Sequence, residues 1–179
     1  MGELYIVPTP IGNLEDITIR AKRVLSEVDI ILCEDTRRTI KLLNYLNIKT
    51  KLISFNEHNE EKKISNIIDQ IDNRSIALVS DAGTPTISDP GSKLIRSLIK
   101  NKKKVIPLPG ASSLLTAYSA AGLNKSDFVF HGFPPRKNQE IRLLLTELNN
   151  INKDIIFFES PLRVEKFLQI LRSEFKDSN

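Results

Sequence analysis

Seven short apolar segments recur along the chain, and each is followed by a stretch with the spacing of an amphipathic helix. The segments are continuous and rich in Val, Ile and Phe, which is typical of strands buried on both faces of a sheet. Strict alternation of strand and helix predicts an α/β fold with a mostly parallel sheet. The predicted strands are 3–8, 29–34, 51–55, 75–80, 104–109, 127–133 and 154–159. The predicted helices are 17–27, 36–46, 57–72, 91–101, 111–121, 136–149 and 161–172.

A break in this pattern after the fifth helix predicts a domain boundary. That helix ends at Gly122, and the polar segment "LNKSD" follows it. We therefore expect a first α/β domain over 1–122 and a second over 123–179. Two strand–helix units make a small core for an independent domain, so we expect the second domain to be truncated in this chain. In its last helix, Ser160 is expected to cap and Pro161 to take the first helical position.

Composition excludes several classes of protein. A single cysteine, Cys33, rules out an internal disulfide and fits a reducing, cytoplasmic setting. It stands in the apolar run "IILC", so we expect a buried thiol in the core. With two histidines and one cysteine there is no spacing of zinc ligands, and no metal is expected. No apolar run reaches the roughly 18 residues that span a bilayer, so no membrane segment is expected.

Clusters of glycine, proline and polar residues follow the ends of the predicted strands. In parallel α/β sheets, ligands bind beyond the carboxyl ends of the strands, so these clusters predict one composite site. The chain has neither GxxxxGK[ST] nor GxGxxG, which excludes a P-loop and a dinucleotide fingerprint. A small zwitterionic ligand held largely by backbone groups suits these loops better than a triphosphate. The clusters are "PTPIGNLED" (8–16), "CEDTRRT" (33–39), "FNEHNEE" (55–61), "SDAGTPTISDPG" (80–91), "PGASS" (109–113), "GFPPRK" (132–137) and "ESPLR" (159–163).

The basic residues divide between the two edges of the predicted sheet. The net charge of +4 and the pI of about 9.2 permit an anionic partner without establishing one. The run "KNKKK" (100–104) precedes a strand and is expected on the edge away from the site. A second set follows strand ends, where it either rims the site and holds phosphates or forms an ordinary solvated surface. Its members are Arg37, Arg38, Lys41, Arg136, Lys137, Arg142 and Arg163, and all of them except Arg142 are candidates for contact with RNA.

Several of these motifs are found together in a known family. "LYIVPTPIGNLEDITIRA" (4–21), "CEDTRRT", "HNE" (58–60), "ALVSDAGTPTISDPG" (77–91), "PLPGASS" (107–113) and "FFESPLR" (157–163) occur in this order. Together they resemble the bacterial 16S rRNA (cytidine-2′-O)-methyltransferases, which are tetrapyrrole methylase-like (class III) methyltransferases. The resemblance covers nearly the whole chain. One departure is that Asn56 and Glu57 stand where the family often has a further histidine.

The resemblance implies a fold, a reaction and partners. It implies two α/β domains with S-adenosylmethionine bound between them, and transfer of its methyl group to a cytidine ribose in the decoding region of 16S rRNA. It also implies a cytoplasmic homodimer that acts on the small ribosomal subunit. The residues that it assigns to the cofactor are Pro10, Ile11, Gly12, Asp81, Gly83, Thr84, Pro85, Ser112, Ser113, Phe158 and Glu159. Among them, Asp81 is the expected polar anchor, and Phe158 and Glu159 are expected to close over the adenine.

The general base and the substrate class remain open at this point. Glu34, Asp35 and His58 stand at strand ends on the correct edge, and the two acids rank first as a base for a ribose hydroxyl. Asp35 could instead pair with Arg37 or Arg38, or cap the helix that follows. One alternative function is a related enzyme that methylates a small molecule such as a tetrapyrrole precursor. The other is a noncatalytic ribosome-binding module.

Overall fold

The structure, a computed structural model, describes residues 2–123 and 127–175. The chain divides into two compact units, 1–116 and 117–179. The division falls inside the helix that precedes Gly122. The strands are β1 (Leu4–Ile6), β2 (Ile30–Cys33), β3 (Lys51–Ser54), β4 (Ile76–Leu78), β5 (Val105–Pro107), β6 (Phe128–Gly132) and β7 (Asp154–Phe157). The helices are α1 (Ile19–Glu27), α2 (Thr36–Tyr45), α3 (Glu60–Gln70), α4 (Ser92–Lys100), α5 (Ser113–Ala120), α6 (Asn138–Leu148) and α7 (Val164–Glu174).

A five-stranded sheet in the order β3-β2-β4-β1-β5 forms the first unit. Every neighbouring pair is parallel, and β1 lies between β4 and β5, with Leu4 opposite both Ile76 and Val105. The predicted α/β fold with a mostly parallel sheet is therefore confirmed. Because all five strands run in one direction, their carboxyl ends lie on one edge of the sheet.

Helices cover both faces of this sheet, which explains why its strands are apolar throughout. On one face, Leu25 of α1 and Leu43 of α2 pack against Ile31 of β2. On the other face, Leu94 of α4 packs with Leu32 and other buried residues that include Ile67 of α3. Cys33 is fully buried in the first of these cores, as predicted, and burial raises the pKa of its thiol.

The second unit contains one pair of parallel strands, β6 and β7, whose register shifts between Phe130 and Gly132. Helices α6 and α7 pack together through a small apolar core. The core consists of Ile141, Leu145, Phe167 and Ile170.

The helix bounds differ from the sequence prediction mainly at the amino-terminal ends. Helix α7 begins at Val164, so the prediction that Pro161 is its first residue is wrong. Residues 161–163 form a turn instead, in which the Ser160 carbonyl accepts hydrogen bonds from the amides of Arg163 (2.9 Å) and Val164 (3.0 Å). Arg163 holds the N-cap position, so the prediction that Ser160 caps this helix is also wrong; Ser160 contacts the helix start through its backbone oxygen. Within the described residues, none of the helices is both long and apolar enough to cross a membrane.

Candidate functional site

The loops that follow β1, β4 and β5 are joined by hydrogen bonds at the carboxyl edge of the sheet. Thr9 and Gly83 exchange two backbone hydrogen bonds, of 3.0 and 2.9 Å, in an isolated antiparallel bridge. The Thr84 hydroxyl donates to the carbonyl of Ala111 at 3.1 Å. These contacts bring together the three loops that the family resemblance assigns to the cofactor. They contain Pro10, Ile11, Gly12, Gly83, Thr84, Pro85, Ser112 and Ser113.

Two buried hydroxyl groups hold the shape of the loop after β4. The Thr9 hydroxyl donates to the Ser80 carbonyl at 3.1 Å, and the Ser80 hydroxyl donates to the Gly83 carbonyl at 3.1 Å. Both residues are buried. The sequence pattern assigned neither a role, although a threonine and a serine within three residues of a buried strand's end are a usable signal for such internal bonds.

The backbone of these loops fits a small ligand that is held by main-chain groups. Gly83 has a φ of +83°, which favours glycine, and a Cβ there would lie 3.4 Å from the Ile11 side chain. No atom lies within 4 Å of a Cβ built on Gly12, so its backbone is open to close approach. Helix α5 begins at Ser113, and free amides at a helix start suit a carboxylate. The residues present therefore fit the carboxylate of S-adenosylmethionine.

Asp81 links this region to the loop after β2. One carboxylate oxygen accepts a hydrogen bond from the Asp35 amide at 3.2 Å, and the other lies 3.4 Å from Nε of Arg38. Its side chain is about one fifth exposed, at 22%. Asp81 thus has protein partners for both oxygens and still presents part of its surface to a ligand.

A cavity of about 450 Å³ lies beside Asp81, over the ends of β2 and β3. Its lining includes all three candidates for the general base. They are Glu34, Asp35 and His58. The structure therefore places these three side chains and Asp81 around one cavity.

Asp35 and Glu34 differ sharply in their surroundings. Asp35 is the N-cap of α2 and accepts hydrogen bonds from the Arg37 amide at 2.8 Å and from Nε of Arg37 at 3.0 Å. The Arg37 guanidinium and this amide lower the pKa of Asp35 to about 2. Burial raises the pKa of Glu34, and the charges of Asp81, Asp89 and Glu57 raise it further. A carboxylate with a raised pKa accepts a proton more readily, so the surroundings of Glu34 suit a base better than those of Asp35.

His58 occupies an exposed turn before α3 and lines the same cavity. A network behind it fixes the end of β3: the Asn59 side chain accepts from the Asn56 amide at 3.0 Å, and the Asn56 side chain donates to the Ser54 hydroxyl at 3.3 Å. The side-chain oxygen of Asn56 is buried and has no hydrogen-bond partner among the described residues. Among the side chains that the structure describes, no cluster of histidine, cysteine and carboxylate is arranged to hold a metal ion.

The basic residues predicted to bind RNA have different surroundings. In the first unit, Arg37 pairs with Asp35 at 2.7 Å, and Lys41 is exposed on α2. In the second unit, Arg136 is exposed and Lys137 pairs with Glu140 at 3.0 Å. Neither pair is buried, so these cations remain available to solvent.

Arg163 has a structural role in the second unit. Its Nη2 donates to the carbonyls of Pro134 (3.2 Å) and Pro135 (2.8 Å) and lies 3.0 Å from Oε2 of Glu159. Arg163 therefore joins the loop after β6 to the loop after β7. A phosphate contact by this residue remains a prediction that these existing bonds do not favour.

Phe158 and Glu159 also have partners within the second unit. The Phe158 ring packs edge-on against Phe130 (centroids 4.8 Å apart) and Phe133 (5.8 Å). The Glu159 side chain is only 5% exposed, and its Oε1 accepts from the Ser160 amide at 2.7 Å. Their closure over an adenine stays a prediction.

Comparison with known proteins identifies the family. The model of the tetrapyrrole (corrin/porphyrin) methylases matches residues 3–179. The chain belongs to this family. One solved structure that resembles this chain is a diphthine synthase (TM-score 0.75, 15% identity, covering 98% of this chain and 72% of that one). Another is the methyltransferase CobJ (TM-score 0.69, 19% identity, covering 97% of this chain and 77% of that one). At these identities the likeness concerns the fold alone.

Several curated relatives of this chain share about half of its residues in the aligned part. It is 52% identical to a protein named ribosomal RNA small subunit methyltransferase I from Halalkalibacterium halodurans, over 93% of this chain and 58% of the relative. Proteins of the same name from Vibrio cholerae (50%, over 93% and 58%) and Thermotoga maritima (51%, over 96% and 76%) are equally similar. The chain thus spans 58% of the length of the first two relatives.

Proposed function

We propose that this chain is part of an S-adenosylmethionine-dependent methyltransferase. It would contain the cofactor-binding loops and some of the residues that contact the RNA substrate. Its substrate would be 16S rRNA in the small ribosomal subunit, and its target the ribose 2′ oxygen of a cytidine in the decoding region. The main support is the identity of 50–52% with three proteins named as small subunit rRNA methyltransferases. The convergence of the loops after β1, β4 and β5 supports a cofactor site at this edge. A cytoplasmic homodimer, expected from the sequence, belongs to the same proposal.

The loops of the first unit would position the methyl donor. When bound, S-adenosylmethionine supplies a methyl group on a positively charged sulfur. The backbone of Gly12 and Gly83 and the amides at the start of α5 would hold its polar groups, with Asp81 beside them. Fixing two reactants in line can lower a barrier by roughly 7–11 kcal/mol, so positioning is the main task of these loops.

Glu34 would receive the proton of the ribose hydroxyl. A 2′-hydroxyl is a weak acid, and a general base contributes about 10²–10⁴-fold to such a step. Glu34 suits the role because burial and the Asp81 charge raise its pKa. Asp35 suits it less, because its carboxylate is engaged with Arg37 and its pKa is about 2.

The decisive experiment is transfer of a labelled methyl group. Small ribosomal subunits that lack this modification are incubated with the chain and methyl-labelled S-adenosylmethionine, and the RNA is digested to nucleosides. Label in 2′-O-methylcytidine from the decoding region is the expected result. Label on a base, or transfer only to a tetrapyrrole precursor offered in a parallel reaction, would replace the proposal with the corresponding alternative. The Halalkalibacterium halodurans relative, run in parallel, checks that the subunits are competent substrates.

Calorimetry separates an enzyme from a noncatalytic module. A chain with the proposed site binds S-adenosylmethionine with measurable heat. A chain that binds small subunits but gives no heat with the cofactor would be a ribosome-binding module. Sedimentation of the same sample tests the homodimer, for which a monomer at micromolar concentration is the contrary result.

A further inference from the structure

The second unit exposes an aromatic ring next to a basic helix start. Phe133 is 53% exposed, although large aromatic side chains usually bury most of their surface. Phe158 supports it edge-on with ring centroids 5.8 Å apart, and Phe130 supports Phe158 in turn at 4.8 Å. The ring is therefore held in place by a row of aromatic contacts while much of its surface stays open.

A cavity of about 570 Å³ lies beside this ring. It is lined in part by Phe133, Pro134, Pro135 and Arg136, which we call the stacking surface. Small-molecule pockets range from about 300 to 1,000 Å³, so the space is large enough for a nucleotide. Its lining combines flat apolar groups with a cation, which is the composition of sites that hold unstacked bases.

The stacking surface is preorganised. The Arg163 guanidinium fixes the loop by donating to the carbonyls of Pro134 and Pro135, and the almost fully buried Glu159 holds Arg163 at 3.0 Å. Proline rings restrict the backbone further. A surface that is already ordered loses little conformational entropy when it binds, so the loop is suited to recognition.

Positive charge is available at the edge of the stacking surface. Arg136 is exposed and forms no hydrogen bond or ion pair with any residue that the structure describes. Helix α6 begins two residues later, at Asn138, and no side chain caps it. Arg136, Asn138 and the exposed Lys166 line an adjoining cavity of about 250 Å³. Unpaired amides at a helix start and free cations both favour a phosphate.

We propose that the stacking surface binds one unpaired nucleotide of RNA. The base stacks on Phe133 and the partly exposed Pro135, and a phosphate next to it contacts Arg136 and the start of α6. The choice of RNA as the ligand rests on the proposed function, whereas the stacking geometry does not. Because every base has a flat face, the site would take different bases with similar affinity and would exclude paired ones.

The test measures binding of single-stranded RNA to the whole 179-residue chain. A fluorescein-labelled oligoribocytidylate of ten nucleotides is titrated and followed by anisotropy, with a duplex of the same length in parallel. Phe133→Leu keeps the apolar volume and removes the aromatic ring, and should weaken single-strand binding about 5- to 100-fold. Arg136→Ala should lower the slope of log affinity against log salt by about 1. Leu143→Ala on α6, also exposed and outside both cavities, is the matched control and should change neither.

A second measurement guards against a folding defect. An oligonucleotide with 2-aminopurine should lose fluorescence on binding the unaltered chain, because stacking quenches this base, and should lose less with Phe133→Leu. Equal affinity of Phe133→Leu and the unaltered chain, or equal binding of duplex RNA, would overturn the proposal. A Phe133→Leu effect on S-adenosylmethionine binding alone would also overturn it, since the ring would then hold the adenine of the cofactor. None of these readouts needs methyl transfer, so failure of the proposed function is detected separately.

Discussion

Glu60, the first residue of α3, accepts a hydrogen bond from the Gly91 amide at 3.2 Å, just before α4 begins. The Glu60 side chain is 8% exposed, and its other oxygen lies 3.5 Å from the Lys93 ammonium. This one carboxylate joins the starts of two neighbouring helices. It also fixes the far end of the loop 80–91, whose near end contains Asp81.

Replacement of Glu60 by alanine should destabilise the first unit. The buried Gly91 amide would lose its acceptor, and an unsatisfied buried donor costs about 1–3 kcal/mol. Urea unfolding measures the difference. Glu61→Ala is the control, since Glu61 also pairs with Lys93 but its side chain is 72% exposed. A loss of stability in Glu61→Ala as large as in Glu60→Ala would show that the pair with Lys93, and not the bond to Gly91, matters.

Gly91 should not tolerate a side chain. Its φ is +121°, and a Cβ there would lie 2.6 Å from Cδ2 of Leu78, which is buried in the core. Backbone strain and overpacking together predict a loss of about 2–4 kcal/mol for Gly91→Ala in urea unfolding. Gly12→Ala is the matched control, because no atom lies within 4 Å of its Cβ position, and its stability should stay nearly unchanged. Equal stability of the two variants would contradict the conformation of Gly91.

Glu34→Gln should lower methyl transfer by about 10²–10⁴-fold, because it removes the proposed base. It should also change how stability depends on pH. Burial and nearby charges raise the folded-state pKa of Glu34, so its ionisation destabilises the native state as pH rises above the ordinary value of 4.5. The glutamine variant should therefore match the unaltered chain in urea at pH 4 and be more stable at pH 8.

The control for this experiment is Glu27→Gln, a surface carboxylate on α1 that pairs with Arg23. It should keep its transfer rate. Full activity of the Glu34→Gln variant would exclude Glu34 as the base. His58, which lines the same cavity, would then be the candidate for the base.

Asp81→Asn should weaken binding of S-adenosylmethionine by about 10- to 100-fold, since hydrogen bonds to charged groups contribute about 1.5–3 kcal/mol. The amide oxygen of asparagine can still accept from the Asp35 amide, so the fold should persist. Calorimetric titration measures the affinity. Asp72→Asn serves as the control, because Asp72 pairs with Lys103 at the opposite edge of the sheet. An unchanged affinity in Asp81→Asn would leave Asp81 with a purely structural role.

The sequence predicted the architecture because that information is local. Continuous apolar runs such as "IILC" of β2 mark buried strands, and all seven predicted strands are present with slightly shorter bounds. The cap of α2 is local as well, since Asp35 and the Arg37 amide are two residues apart. The approach of the loops after β1 and β4 followed from the rule that parallel strands end on one edge.

The contacts that the sequence could not predict join residues far apart in the chain. Glu60 and Gly91 are 31 residues apart, and nothing in either segment specifies the other. Arg163 was grouped with the surface cations because it follows a strand, yet its carbonyl partners are 28 and 29 residues earlier. Such contacts depend on how two loops meet in space, which the pattern of either loop alone does not determine.

The central position of β1 has a consequence for synthesis on the ribosome. β1 precedes the other four strands of its sheet in the chain, but Leu4 pairs with Ile76 and Val105, which follow much later. Until β5 is made, β1 is an apolar edge open to wrong pairing, and closing such long loops is slow. A nascent chain that stops short of Pro107 therefore cannot bring the segments after β1, β4 and β5 together, however well its earlier helices have formed.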